Sequence, residues 1–191
     1  MKPQSPHAHT TSADQTQALA AALATLCEPG DLLVLAGEMG AGKTAFAQGF
    51  ARGLGITETV TSPTFTIVRE YQGERLSLHH LDVYRLDQLR EVPELGVGEM
   101  LDEDAVMLVE WGDAVLPALG DQYLEVRISF VETDDAPEGA LSVEAEQSVV
   151  SDDHRRLELE PRGSRWVARS RLLIETVAPW APDATEGPLS C

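Results

Sequence analysis

The octapeptide Gly37-Glu38-Met39-Gly40-Ala41-Gly42-Lys43-Thr44 leaves this chain fewer folds than any other stretch of it. Its spacing, G-x-x-x-x-G-K-[ST], is that of a loop that cradles nucleotide phosphates. Such a loop needs a strand before it and a helix after it, and both are legible. Asp31 to Ala36 is a short apolar run of strand length. Ala45 to Leu54 has helical spacing, with Phe46, Phe50 and Leu54 on one face and Gly55 placed to end the helix. The glycines let backbone N–H groups turn inward as a nest for anionic oxygens. The helix start adds partial positive charge. Lys43 supplies a mobile point charge for the β- and γ-phosphates, and the Thr44 hydroxyl suits Mg²⁺.

Composition narrows the nucleotide and the setting. Lysine occurs only at Lys2 and Lys43, and every other basic residue is arginine. A chain that avoids lysine yet places one here uses it as a compact, flexible ammonium. The chain contains no asparagine. The guanine-reading N-K-x-D signature is therefore absent, which favours ATP over GTP. With 32 acidic against 14 basic residues the net charge is −18, a surface that repels bare nucleic acid and anionic membranes. The two cysteines, Cys27 and Cys191, give neither a disulfide framework nor a metal-ligand spacing, so a reducing, cytoplasmic setting is expected. The opening MKPQSPHAHTTSADQ has no apolar signal core, and no 18-residue apolar run follows it.

Taken in order, residues 1–11 read as disordered. Ser12-Ala13-Asp14-Gln15 is a capping box for a helix with Leu19, Ala22, Leu23 and Leu26 on one stripe, stopped by Glu28-Pro29-Gly30. After the phosphate loop and its helix, Val60 to Tyr71 is a turn around Pro63 followed by an alternating strand. Gln72-Gly73-Glu74-Arg75 reads as a hairpin turn, and Leu76 to Asp82 as the return strand. A short helical connector is expected through Glu94. Ala105 to Val109 is a continuous apolar run, as in a strand buried on both faces, and Gln122 to Val131 alternates. Residues 132–153 read as an acidic loop insertion, with one strand at Leu141 to Val143. Leu157-Glu158-Leu159 is a candidate to pair with a preceding strand, 164–177 reads as one helix, and 178–191 as a flexible tail. The whole is expected to be one α/β domain over 12–177: a mostly parallel sheet flanked by helices, of the P-loop NTPase kind, with an antiparallel hairpin over 65–82.

A phosphate loop needs a carboxylate to help hold Mg²⁺, placed at the end of a buried strand. Glu110 closes the run Val106-Met107-Leu108-Val109, and Asp82 closes the strand containing His79 and His80. Thr64, on the loop after Ser62-Pro63, is by its spacing either a plain turn threonine or a sensor of a γ-phosphate through Mg²⁺. His79 and His80 point to opposite faces of a strand, so one is expected packed and one exposed. Trp111 is either core filling or a stacking surface.

The segments G-E-M-G-A-G-K-T, S-P-T-F-T-I-V-R-E-Y, H-L-D-V-Y-R-L and V-E-W, in this order and at these separations, resemble the TsaE family over about residues 12–131. These are small bacterial P-loop ATPases that assist in making N6-threonylcarbamoyladenosine on tRNA. The resemblance implies that Gly40, Ala41, Gly42, Lys43, Thr44 and Ala45 bind ATP phosphates, and that Thr44 and Glu110 hold Mg²⁺. It implies that Thr64 sits in a switch-like segment, that Asp82 is needed for hydrolysis, that Thr16 lies near the nucleotide and that Trp111 lies beside the site. The implied partners are the threonylcarbamoyl-transferase subunit and its inactive paralogue, with tRNA engaged only indirectly and no membrane involved. The loop departs from the family pattern at Glu38-Met39, where Asp-Leu is common, and at Ala45, where a second Thr is common. Two other readings share the loop. One is a small-molecule or nucleoside kinase, with a lid drawn from the six arginines from Arg155 onward. The other is a non-catalytic, ATP-gated binding module.

Overall fold

The computed structural model describes residues 5–63, 66–84, 100, 104–131 and 153–181. Among them seven strands form one sheet: β1 (His7–Thr10), β2 (Leu32–Ala36), β3 (Val68–Tyr71), β4 (Ser77–Asp82), β5 (Ala105–Glu110), β6 (Leu124–Phe130) and β7 (Arg155–Pro161). The strand order is β1-β7-β6-β2-β5-β4-β3. The four central strands, β6, β2, β5 and β4, run parallel to one another. The β3–β4 hairpin and the β6–β7 pair are antiparallel, as is the β1–β7 pair.

The helices follow from local signals. Helix α1 (Ala13–Ala24) starts where Ser12 Oγ accepts from the Gln15 N–H, and Gln15 Oε1 accepts from the Thr11 N–H. Helix α2 (Lys43–Gly53) leaves the phosphate loop directly and stops at the positive-φ residue Gly55. The two helices meet backbone to backbone: a Cβ on Gly49 would sit 2.2 Å from the Gln17 carbonyl oxygen. One sheet face packs Leu33, Leu35, Val106 and Leu108 against Leu19, Leu23, Phe46 and Phe50. The other packs Val34, Leu81, Met107 and Val109 against Val115, which joins the 3₁₀ turn (Gly112–Ala114) to α3 (Leu116–Leu119) after β5, and against Leu119 of α3.

Several expectations are corrected. Residues 7–10, expected to be disordered, form β1. The polar composition hid an edge strand that needs only backbone pairing and two small inward residues, Ala8 and Thr10, both buried. The 164–177 helix is two, α4 (Gly163–Ala168) and α5 (Ser170–Val177), with the break at Arg169. The tail does not loosen at 178, because Ala178–Trp180 continue as a 3₁₀ turn and Trp180 packs against the core. His79 and His80 are both buried, at 3% and 0% exposure, because β4 lies inside the sheet between β3 and β5 with both faces covered. The connector through Glu94, the strand at 141–143 and the acidic segment 132–152 lie outside the described residues.

Arg169 breaks that helix to reach Asp31, the residue before β2. Its Nη1 and Nη2 donate to the two Asp31 oxygens at 2.6 and 2.7 Å, and the guanidinium lies 4.0 Å over the Trp166 ring. Asp31 is 1% exposed. Removing one partner of such a pair strands a buried charge. Asp31→Ala is therefore expected to lower folding stability by about 3 kcal/mol, read as a lowered urea midpoint with an unchanged slope.

Candidate functional site

The parallel register places three residues side by side at the carboxyl ends of adjacent strands: Leu35 of β2 opposite Glu110 of β5, and Glu110 opposite Asp82 of β4. Ligands in open parallel sheets bind outside these ends. The phosphate loop leaves β2 at the same edge. Together they enclose a cleft of about 480 Å³ lined by Gly40, Gly42, Lys43, Thr44, Ala45, Asp82, Glu110 and Trp111, with Met39, Ser62 and Tyr84.

The loop holds the shape its glycines permit. Gly42, at the N-cap of α2, has φ +106°, a conformation an L side chain resists. Gly37 has φ +142°, and a Cβ there would fall 2.2 Å from the Ile128 carbonyl oxygen, so the loop lies directly on β6. Ala41 does not line the cleft; its methyl is fully buried in the core.

Lys43 is drawn into the loop. Its Nζ donates to the carbonyls of Gly37 and Glu38, each at 2.8 Å, and sits 3.5 Å over the Trp111 ring. Burial pushes its pKa below the ordinary lysine value, while Glu110, Asp113 and Asp82 pull it back up. A polyphosphate would supply further negative charge and better acceptors than two carbonyls and a ring.

The carboxylates are oriented rather than loose. Asp82 Oδ2 accepts from the Ser62 hydroxyl at 2.9 Å, and Oδ1 from the Tyr84 N–H at 3.0 Å. Glu110 Oε1 lies 2.9 Å from His80 Nε2, with both side chains at 3% exposure or less. A carboxylate that is ionised only accepts, and the contact is then a donation from His80 Nε2–H to Glu110 Oε1. His80 is two residues before Asp82 on the same face, and its contact with Glu110 is a diagonal step across the β4–β5 ladder. Trp111 follows in the left-handed conformation, φ +60°, which is costly for a bulky side chain and gathers at functional sites. The turn brings its indole over Lys43 and within 4.9 Å of the Tyr84 ring.

Among the expected residues, Thr16 stands apart from the cleft lining. It is buried on α1, with its hydroxyl 2.8 Å from that of Thr10. Thr64 lies outside the described residues. Sequence reasoning missed Ser62, Tyr84 and the role of His80. A hydroxyl next to the Pro63 turn and the H-x-D spacing on β4 were available signals for Ser62 and His80. Tyr84 had none.

A family model described as "Threonylcarbamoyl adenosine biosynthesis protein TsaE" matches residues 10–137. The chain is similar to the tRNA threonylcarbamoyladenosine biosynthesis protein TsaE of Bacillus subtilis, 44% identical over 119 residues, which cover 62% of this chain and 74% of that protein. The protein of the same name from Treponema pallidum is 40% identical over 117 residues, covering 61% of this chain and 86% of the relative. A crystal structure of Bacillus subtilis YdiB superposes with a TM-score of 0.66 at 32% identity, covering 92% of this chain and 95% of that one.

Proposed function

The chain belongs to the TsaE family of threonylcarbamoyl adenosine biosynthesis proteins, and from this premise we propose that its cleft binds MgATP and hydrolyses it to serve that tRNA modification. The observation that carries the reading is the shared cleft: Gly40, Gly42, Lys43 and Thr44 face Asp82 and Glu110 across the carboxyl ends of β2, β5 and β4.

The donor set fits a magnesium ion shared with its substrate. Among the described residues no group of three or more His, Cys, Asp or Glu side chains could hold a metal ion alone. Mg²⁺ is commonly held by one or two protein oxygens together with substrate phosphates. The Thr44 hydroxyl and the Glu110 carboxylate would hold it, and when bound it would neutralise charge on the β- and γ-phosphate oxygens. The chain's own residues do the rest. The loop amides and Lys43 bind the phosphates, Lys43 exchanging its two carbonyls and the Trp111 face for phosphate oxygens. Asp82, fixed by Ser62 and the Tyr84 N–H, orients the attacking water. His80 holds Glu110 Oε1 and leaves Oε2 for the cleft.

Positions that orient a metal ligand are worth about 10–100-fold in metal affinity. His80→Ala is expected to raise the Mg²⁺ concentration needed for half-maximal ATP hydrolysis by about tenfold, and Glu110→Gln by more. Affinity for ADP measured in EDTA should stay near wild type in both. A Mg²⁺ titration of phosphate release checks this, and unchanged titration of Glu110→Gln would contradict the magnesium role.

We assign the output to protein partners, the threonylcarbamoyl-transferase subunit and its inactive paralogue, with tRNA engaged through them. The net charge of −18 supports docking on protein rather than on bare RNA. The ion pairs that Arg156, Arg162, Arg165, Arg169 and Arg171 form with carboxylates support the ATPase reading over a kinase with an arginine lid. No helix among the described residues is long and apolar enough to cross a membrane.

A further inference from the structure

Arg155 belongs to β7, beyond the residues 10–137 that the family model matches. Yet its side chain reaches the phosphate loop. Nε donates to the Ala41 carbonyl at 2.9 Å and Nη2 to the Gly40 carbonyl at 3.4 Å, while Nη1 donates to the His154 carbonyl at 3.0 Å. The guanidinium lies 4.2 Å over the ring of Phe130, its register partner on β6. The loop rests on the same strand from below, Gly37 against Ile128 and Gly40 facing the Phe130 ring.

We infer that Arg155 is a positioning residue of the phosphate site, acting through the loop backbone. A planar trans peptide points its N–H opposite to its C=O. Fixing the Ala41 carbonyl on Arg155 therefore turns the Gly42 N–H to the other side of the chain, and Gly42 lines the cleft. The Ala41 N–H is held within the loop, donating to the Glu38 carbonyl at 3.2 Å. Arg155 thus presets the Gly42 donor before any anion arrives. Two carbonyls met by one planar fork, backed by an aromatic face, suit arginine and not lysine. The inference rests on the phosphate-site reading above.

The test is binding of a fluorescent ADP analogue in EDTA, which removes any metal contribution, combined with amide hydrogen exchange without nucleotide. The wild type, Arg155→Met, Arg155→Lys and Lys43→Ala are compared. Arg155→Met is expected to weaken ADP binding about tenfold, the scale of one charge-assisted bond, and to speed exchange at residues 40–43 while β6 and β7 keep their protection. Arg155→Lys should show most of the same loss. Wild-type affinity in Arg155→Met, or full recovery in Arg155→Lys, overturns the inference while leaving the phosphate site intact. Loss of affinity only alongside lost protection throughout β6 and β7 also overturns it, since the effect would then be on the fold. A wild type that binds no better than Lys43→Ala overturns both readings.

Discussion

Lys43→Ala should weaken ATP and ADP binding by at least about a hundredfold, roughly 3 kcal/mol, the worth of one to two charge-assisted bonds to phosphate. The fold should survive the change. Among the described residues Lys43 Nζ bonds to the Gly37 and Glu38 carbonyls of its own loop and covers Trp111, and alanine is a good helix residue at the start of α2. Lys43→Arg should fail nearly as badly, because a planar fork does not replace a point charge seated between two carbonyls and an indole face. Calorimetric titration with each nucleotide measures the loss, and a Tm within a few degrees of wild type shows that the loop alone is affected. Wild-type affinity in Lys43→Ala would remove phosphate binding from this cleft.

Asp82→Asn should separate binding from turnover. Asp82 is 4% exposed, and its oxygens are held by the Ser62 hydroxyl and the Tyr84 N–H. Asparagine matches it in size, and correctly flipped its amide oxygen can keep one of these bonds. It cannot draw a proton from water or orient it by charge. Positioned proton acceptors contribute about 10²–10⁴-fold, so phosphate release should fall at least about a hundredfold, with ATP affinity within a few fold of wild type. Rapid-quench measurement of bound ATP conversion separates the two quantities. Equal losses in binding and turnover would assign Asp82 to holding the nucleotide.

The fold and the cleft were legible to different depths. Gly37–Thr44 carries its own geometry, because glycines, lysine and threonine at that spacing make sense only between a strand and a helix. Glu110 and Asp82 were legible as polar endings on apolar strands. Contacts that depend on register were not. His80 meets Glu110 only because β4 and β5 align Asp82 with Glu110, and nothing local fixes that alignment. Arg155 meets the loop across 114 residues because β7 returns beside β6. Trp111 was readable as an aromatic near the site, but not its left-handed turn or its place over Lys43. Edge strand β1 escaped because its His-Ala-His-Thr sequence is too polar to signal a strand, while its pairing with β7 is made by backbone.

The proposed hydrolysis is tested most directly by phosphate release from ATP, with and without Mg²⁺, in the presence of the transferase subunit and its inactive paralogue. The wild type should release phosphate only with Mg²⁺, Lys43→Ala should neither bind nor cleave, and Asp82→Asn should bind without cleaving. Phosphate release that persists undiminished in Lys43→Ala and Asp82→Asn, or a wild type that binds MgATP with these partners and never cleaves it, would contradict an ATP-hydrolysing site between β2, β4 and β5.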